Sequence, residues 1–391
     1  MGRLHRRRFS QLLAFCRRNG LYVAGIYILT FVLVLPLLCH KLGFSTYFNK
    51  PKEPYDCLEA ENEERTEKAK NFFESLKPRA TWEDQAKPIE FSIVVLTAHR
   101  GSNTHYSLQV ASRLLPQVMD DEGRSVITIL NSDPQPGLNE DAVYLSRFIT
   151  VINSTLPVTS ASRSREKEDY VVGLETALQH NSTYVLMIED DALPSKHLLN
   201  HVRFVLKHKM PGKLLKSRSD WAFLKLYYPE KWQGFGWPEL PELIIIGILG
   251  GSCAVWLHLR MRNTTRRRQS LICTFTVWAV YVVLIVYTVG RAHWIELRKL
   301  SPFMYSVVKA PGCCTPGVLY QRSHASDLAK FLKSVQCSEA YPMDVAIDDF
   351  ANKMNLERYL VMPNMVSHIG VHSSVGSSMK HFTEFYLMFK P

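Results

Sequence analysis

Residues 184–195, Tyr184-Val185-Leu186-Met187-Ile188-Glu189-Asp190-Asp191-Ala192-Leu193-Pro194-Ser195, set the reading of this chain. Tyr184 to Ile188 is an apolar run of strand length, and three adjacent acids end it. A strand feeding a loop puts its last side chains at the carboxyl edge of a sheet, where open α/β folds bind ligands. Carboxylate oxygens suit hard divalent cations such as Mg²⁺ and Mn²⁺, which bridge diphosphates. Acidic triplets are common, however, and this one also fits a solvated turn helped by Ala192-Leu193-Pro194-Ser195.

Working outward, Phe91 to Thr97 (FSIVVLT) is a continuous β-branched run of the kind found in central strands covered on both faces. Tyr106 to Met119 carries Leu108, Val110, Ala111, Leu114, Leu115 and Val118 at helical spacing. Val126 to Leu130 reads as a second strand, ended by Asn131-Ser132-Asp133-Pro134. A polar loop at 159–165 leads into a helix with Tyr170, Leu174 and Leu178 on one face, ahead of the Tyr184 strand. Strand, helix, strand, helix, strand predicts an α/β fold with a mostly parallel sheet, right-handed crossovers and flanking helices. Further strands are expected at Trp221–Tyr228, Tyr305–Val308, Val318–Tyr320 and Leu360–Met362, and helices at Ser323–Lys333 and Asp344–Asn355. Residues 58–77, which mix Glu, Lys, Arg and Asn with Leu58, Phe72, Phe73 and Leu76, read as a charged stem helix. Neither 91–237 nor 301–391 holds a full set of elements, so one domain is interrupted by what lies between them.

The interruption reads as a membrane hairpin. Net charge is +11 over 391 residues, which invites a nucleic-acid reading, but the charge is concentrated in two places. Arg3, Arg6, Arg7, Arg8, Arg17 and Arg18 form one cluster, while Arg260, Arg262, Arg266, Arg267 and Arg268 form the other. These eleven arginines account for the excess, and the remaining 36 basic and 36 acidic residues cancel. Each cluster abuts apolar segments, Leu21–Cys39, Leu243–Leu259 and Leu271–Gly290, which contain no Asp, Glu, Lys or Arg. Their lengths approach the roughly 20 residues that cross a hydrocarbon core. Loops rich in Lys and Arg stay cytosolic, and both clusters then fall on the same side. The expected order is a cytosolic tail (1–20), a membrane anchor (21–39) and a luminal stem (40–88). A first luminal part of the interrupted domain (89–242), a helix (243–259), a cytosolic loop (260–270), a helix (271–290) and a second luminal part (291–391) follow. The absence of charge within the spans argues against an ion path.

This topology leaves Cys57, Cys313, Cys314 and Cys337 on the oxidising side, enough for two disulfides of unfixed pairing. Adjacent Cys313-Cys314 lacks the two-residue gap of a zinc site. Of the sequons at Asn153, Asn181 and Asn263, the last falls in the cytosolic loop and is expected to stay unmodified.

Other polar clusters carry candidate chemistry. Thr97-Ala98-His99-Arg100-Gly101 ends the first strand at the same sheet edge as the triplet. It could hold a nucleotide base and ribose through Thr97 and Ala98, with Arg100 near phosphate, or be an ordinary strand-to-helix loop. Tyr341-Pro342-Met343-Asp344 opens a helix with Asp344 as the expected N-cap and Asp348 one turn on. A carboxylate there can take a proton from an attacking hydroxyl. Pro363 to Ser374 (PNMVSHIGVHSS) offers His368 and His372, whose neutral imidazoles can complete a carboxylate-bound Mn²⁺. Gly312-Cys313-Cys314-Thr315-Pro316-Gly317 is a sugar-pocket wall or a stiffened turn.

Taken in order, the anchor, FSIVVLT, YVLMIEDDALPS, WAFLKLYY, the Arg-looped hairpin, GCCTPG, YPMD and PNMVSHIGVHSS resemble the Golgi transferases that add GalNAc to glycosylphosphatidylinositol (GPI) anchors after their attachment to protein. The YPMD and HIGVHSS segments are also similar to the N-glycan GlcNAc transferase IV group. The resemblance implies a glycosyltransferase A-type sheet, UDP-GalNAc as donor, Mn²⁺ as cofactor, GPI-anchored proteins as acceptors and a β-linked product formed with inversion. It implies Asp191 as metal ligand with His368 or His372 as a further one. Glu189 or Asp190 would contact ribose or metal-bound water, Asp344 would be the base, and Asp348 the reserve. Thr315, Pro316 and Gly317 would border the donor. Competing readings are a Golgi transferase of N-glycans or glycolipids, and a non-catalytic GPI-binding scaffold.

Overall fold

The computed structural model describes residues 20–77, 88–100, 104–156, 162–210, 220–261, 268–371 and 380–389. Within it the chain forms two units, one of Glu53–Pro229 with Glu296–Phe385, the other of residues up to Lys52, Glu230–Ile295 and Tyr386–Lys390.

The first unit is built on a mixed sheet. Its strands are β1 (Phe91–Thr97), β2 (Ser125–Asn131), β3 (Thr150–Asn153), β4 (Tyr184–Glu189), β6 (Trp221–Lys225), β7 (Ser306–Lys309), β8 (Gly317–Gln321) and β9 (Glu357–Met362). Their order is β3-β2-β1-β4-β8-β6-β9-β7. β1 and β4 are apolar at successive positions because both faces are covered. Phe91, Ile93 and Val95 point into a core shared with Leu114 of helix Tyr106–Met119 and Val202 of helix Leu198–His208. Successive strand residues point to opposite faces, and the other face is covered by helices Ser162–Leu178 and Arg322–Ser334 with buried Leu174 and Leu328.

The β3-β2-β1-β4 portion is parallel, as the strand and helix order predicts. The later strands are mixed: β8 runs antiparallel between β4 and β6, β6 pairs β9 in parallel, and β7 closes the edge antiparallel to β9. β8 is reversed because it starts where β4 ends, with the Glu189 N–H donating to the Pro316 carbonyl at 2.8 Å. A small second sheet pairs β5 (Ala192–Pro194) with β10 (Val366–His368). β3, β5 and β10, of three or four residues each, have no periodicity to read.

The helix expected as a stem, Pro54–Ser75, buries one face through Leu58, Thr66, Ala69 and Phe73, the last two of them in this core. Gln109 ties it down, donating to Asn62 Oδ1 (2.8 Å) and Thr66 Oγ1 (3.1 Å) and accepting from Arg65 Nε (3.0 Å). The Phe73 ring lies 5.1 Å from that of Phe148, and its side chain is wholly buried. Charge dominates the sequence of this helix only because its other face is solvated.

Among its described residues the second unit contains three helices long and apolar enough to cross a membrane: Gly20–Cys39, Leu240–Arg260 and Leu271–Val289, of mean hydropathy 2.4, 1.9 and 2.2. The chain is a multi-pass membrane protein. The hairpin packs through glycine: a Cβ on Gly250 or Gly251 would lie 2.7 Å from Val282 Cγ2 or 2.8 Å from the Phe275 carbonyl oxygen. Close backbone approach at small residues is how helices associate in lipid, where burial of apolar surface supplies no drive. The first span joins the third by hydrogen bonds, Tyr27 Oη to the Val277 carbonyl (2.7 Å) and Thr30 Oγ1 with Tyr281 Oη (2.6 Å). Arg291 holds the hairpin's two ends together through Glu242 at 2.8 Å.

Phe73→Ala is expected to destabilise the protein by about 3–5 kcal/mol, read as a lowered unfolding temperature in detergent. Phe72→Ala, at a partly buried neighbour, is expected to cost far less. Equal small shifts would make the helix a stem after all.

Candidate active site

β1 and β4 are parallel with Leu96 opposite Glu189, so the Thr97–Arg100 segment and the acidic triplet leave the sheet side by side. Asp190 turns toward the first of these. Its Oδ2 accepts from Thr97 Oγ1 (2.9 Å) and the Ala98 N–H (3.4 Å), and its Oδ1 accepts from Arg100 Nη2 (2.5 Å). The other arm of the guanidinium, Nη1, donates to Asp191 Oδ2 at 2.6 Å. Arg100 thus bridges two fully buried carboxylates.

The β5–β10 ladder brings the second polar cluster to the same point. It pairs His368 with Ala192, and the Ile369 N–H donates to the Asp191 carbonyl at 2.8 Å. His368 Nε2 then lies 3.3 Å from Asp191 Oδ2, and the Lys380 ammonium donates to that ring nitrogen at 2.5 Å. Gly370 is required by this approach, since a Cβ there would lie 2.3 Å from Asp191 Oδ2. From the β8 side, Thr315 Oγ1 donates to Glu189 Oε1 at 3.2 Å.

The three acids sit in different fields. Burial raises Glu189, and the Asp191 charge adds to it, taking its pKa up to about 8. Burial also raises Asp190, to about 6, against the opposing pull of Arg100. Burial opposes ionisation of Asp191 as well, but its neighbours His368, Arg100 and Lys380 outweigh it and hold the group at about 2. Asp191 is therefore the most acidic carboxylate of the triplet.

Asp191, Arg100, His368 and Lys380 line a cavity of about 420 Å³, with Thr315 and Asp344 also on its wall. A second cavity of about 310 Å³ lies against Thr97, Ala98, Arg100, Asn139, Asp141 and Asp190. Arg100 borders both.

Asp344 is not the N-cap expected of it. The helix runs Met343–Lys353 with Pro342 at the cap position, and Asp344 sits in the first turn, where negative charge complements the helix dipole. Its Oδ2 accepts from the Cys314 N–H at 3.3 Å. Asp348 points elsewhere, toward Arg358 Nη1 at 3.2 Å. Gly317 is buried within β8, where a Cβ would lie 3.2 Å from Val366 Cγ2. His372 lies outside the described residues, as does Asn263.

The Gly312–Thr315 loop holds a bridge between the neighbours Cys313 and Cys314, both at positive φ (108° and 66°), while Cys57 and Cys337 are free thiols. Behind the loop lies Lys225, wholly buried at 1% exposure, donating to the Pro311 carbonyl (3.4 Å) and to that of Cys313. Burial lowers its pKa against the pull of Asp348 and Asp344.

Sequence reasoning missed Lys225, Lys380 and Glu166. Glu166, raised by burial, pairs with Arg163 at 3.1 Å on the wall of the larger cavity. Only Lys225 carried a signal, as a lone charge inside the WAFLKLYY strand.

Asp191 and His368 offer donor types that a divalent cation takes. Among the described residues no group of three or more His, Cys, Asp or Glu is placed to hold one. Asp191 Oδ1 is nevertheless buried without a hydrogen-bond partner beside the His368 imidazole. A hard carboxylate oxygen and an imidazole are ligands Mn²⁺ accepts, and it commonly completes its shell with substrate phosphates and water.

Two solved structures are similar to this chain at a distance. One, a crystal structure of S. aureus TarS 1-349, is 16% identical with a TM-score of 0.23 and matches 35% of this chain and 35% of that one, so the chain spans about a third of its length. The other, mannosyltransferase PcManGT from Pyrobaculum calidifontis in complex with GDP-Man and Mn²⁺, is 13% identical with a TM-score of 0.22, over 77% of this chain and 97% of that one. A family model described as GPI-N-acetylgalactosamine transferase PGAP4 matches residues 91–367, from the first residue of β1 to the middle of β10 and across the hairpin. With the acidic triplet, its cations and Asp344 all on one sheet edge inside or beside that match, the chain belongs to the PGAP4 family of GPI-N-acetylgalactosamine transferases and is a glycosyltransferase.

Proposed function

We propose that this protein moves GalNAc from UDP-GalNAc to the first mannose of protein-attached GPI glycans, with inversion at the anomeric carbon and with Mn²⁺ as cofactor. The observation that carries the mechanism is that one cavity of about 420 Å³ has an ionised Asp191 with two cations at one wall and the Asp344 carboxylate at another.

In this reading the nucleoside takes the 310 Å³ cavity against Thr97, Ala98 and Asp190, and the diphosphate passes Arg100 toward Lys380. Both cations are already oriented, by Asp190, Asp191 and His368, so little reorganisation accompanies the development of charge on the leaving group. Asp191 and His368 would hold the cation, which when bound neutralises part of the diphosphate charge. Thr315 and Pro316 border the sugar.

The mannose hydroxyl oxygen attacks the anomeric carbon from the face opposite UDP. As that C–O bond forms, the bond to the UDP oxygen breaks with its electron pair, and the hydroxyl proton passes to Asp344. Direct displacement on an α-linked donor gives the β product. Asp344 is preferred to Asp348 because it lines the cavity, whereas Asp348 is engaged with Arg358. Glu166 and Arg163 supply polar contacts for the acceptor.

Charge placement supports the N-terminal tail (1–20) and the loop (260–270) in the cytosol and the catalytic parts (89–242 and 291–391) in the lumen, and the family resemblance supports the Golgi as that lumen. Two attachments to the bilayer raise the effective concentration of a catalytic domain at a membrane-tethered acceptor.

Four outcomes test this. Purified protein with Mn²⁺, a panel of UDP-sugars and a GPI-like mannoside is expected to turn over UDP-GalNAc preferentially. Asp191→Ala should lose Mn²⁺-dependent UDP-sugar binding by calorimetry, and Asp344→Asn should keep that binding while kcat falls by about 10²–10⁴. Retained turnover in Asp344→Asn would remove Asp344 as the base. Replacing 243–290 by a soluble linker should impair transfer to a bilayer-held acceptor more than to a free mannoside; equal losses would sink the tethering role.

A further inference from the structure

The catalytic unit carries an apolar tip that nothing in the mechanism uses. After helix Arg291–Glu296, the chain turns through two short 3₁₀ segments, Leu297–Leu300 and Pro302–Met304. Leu300, Phe303 and Met304 are 70%, 76% and 49% exposed. Large side chains at such exposure are ordinary when scattered, but three within five residues form a patch. The patch is also held rigidly. The Phe303 ring packs edge-on against Phe204 at 5.0 Å, and Lys209 Nζ donates to the Phe303 carbonyl at 2.8 Å. Tyr305, just beyond, is buried, with its hydroxyl 3.4 Å from His201 Nδ1.

We infer that this tip, Leu300 with Phe303 and Met304, inserts into the headgroup boundary of the bilayer on the catalytic side, as an interfacial anchor of the catalytic unit. Lipid is the occupant indicated by the chain itself. Val289 ends the third membrane span, and Leu300 follows eleven residues later. The intervening residues are mostly helical, which limits their rise to roughly 17 Å. The tip therefore cannot reach far from the surface where that span emerges.

The surrounding charge suits the same partner. Arg298 and Lys299 precede the apolar residues in sequence and Lys209 meets them at Phe303, and long basic side chains can lie along apolar surface while their heads reach lipid phosphates. Trp237, 88% exposed and three residues before the Leu240 helix, is the kind of residue that populates the same interfacial layer beside the other span.

The test uses the full chain in phosphatidylcholine nanodiscs with benzoylphenylalanine at position 303, and at position 330 as control. Lys330 is exposed on helix Arg322–Ser334, which covers the opposite face of the sheet. Irradiation is expected to give lipid adducts at 303 and none at 330. Protein–protein adducts at 303 would instead make the patch an interface between copies, and no adduct, or equal adducts at both positions, would overturn the anchor. The combined variant Leu300→Ser, Phe303→Ser, Met304→Ser should lose about tenfold in transfer to a bilayer-held acceptor with transfer to a free mannoside unchanged. The adduct pattern needs no donor sugar, so it stands or falls separately from the proposed reaction.

Discussion

The bridge that Arg100 makes between Asp190 and Asp191 is the constraint on which the rest of the site depends. Three acids in a row on a buried strand end repel one another and lose hydration, and an uncompensated buried charge costs several kcal/mol. The chain meets this cost in two ways. Asp190 accepts a hydroxyl and a backbone N–H as well as the guanidinium, while Asp191 has Arg100 on one side and the His368–Lys380 pair on the other. Glu189 receives only the Thr315 hydroxyl among these contacts, and burial makes its proton hard to remove. The triplet thereby divides into a group that favours its proton, a group that anchors a loop and a group that keeps its charge.

That division explains why the small β5–β10 sheet exists. Three ladder positions have little stability of their own, but they bring a segment from late in the chain to Asp191. Gly370 permits the approach and the Ile369 N–H fixes it. The membrane hairpin is inserted between β6 and β7, both of which pair with β9. The hydrogen bonds of β9 thus rejoin the sheet across the interruption, and the hairpin leaves the register of the β1–β4 half untouched.

What could be read from sequence follows from where the physics is local. FSIVVLT and YVLMIE show as strands because both faces of each are buried, and the spans show because lipid demands uninterrupted apolar residues. The acidic triplet stands out because ionised carboxylates are seldom buried without a partner. The partners themselves are distant in sequence: Arg100 lies 91 residues from Asp191, and Lys380, within a stretch lacking any pattern, lies 12 from His368. The antiparallel entry of β8 was also illegible, since a short buried strand carries no mark of its direction. Pro342 displaced Asp344 from the cap because proline fixes its own backbone and needs no N–H at a helix start.

The wall opposite Asp191 rests on a second buried charge. Lys225 would be costly within β6 were it not bound to the Pro311 and Cys313 carbonyls with Asp348 and Asp344 nearby. Its ammonium satisfies carbonyls that a loop with two residues at positive φ turns inward, and the Cys314 N–H of that loop meets Asp344. Thr315, the next residue, reaches Glu189. A single short loop is therefore held by a buried cation behind it and by two acidic side chains in front of it, Glu189 of the triplet and Asp344 of the Met343–Lys353 helix. Lys225 thereby supports the loop that carries Thr315 to Glu189, from behind the residues that line the cavity.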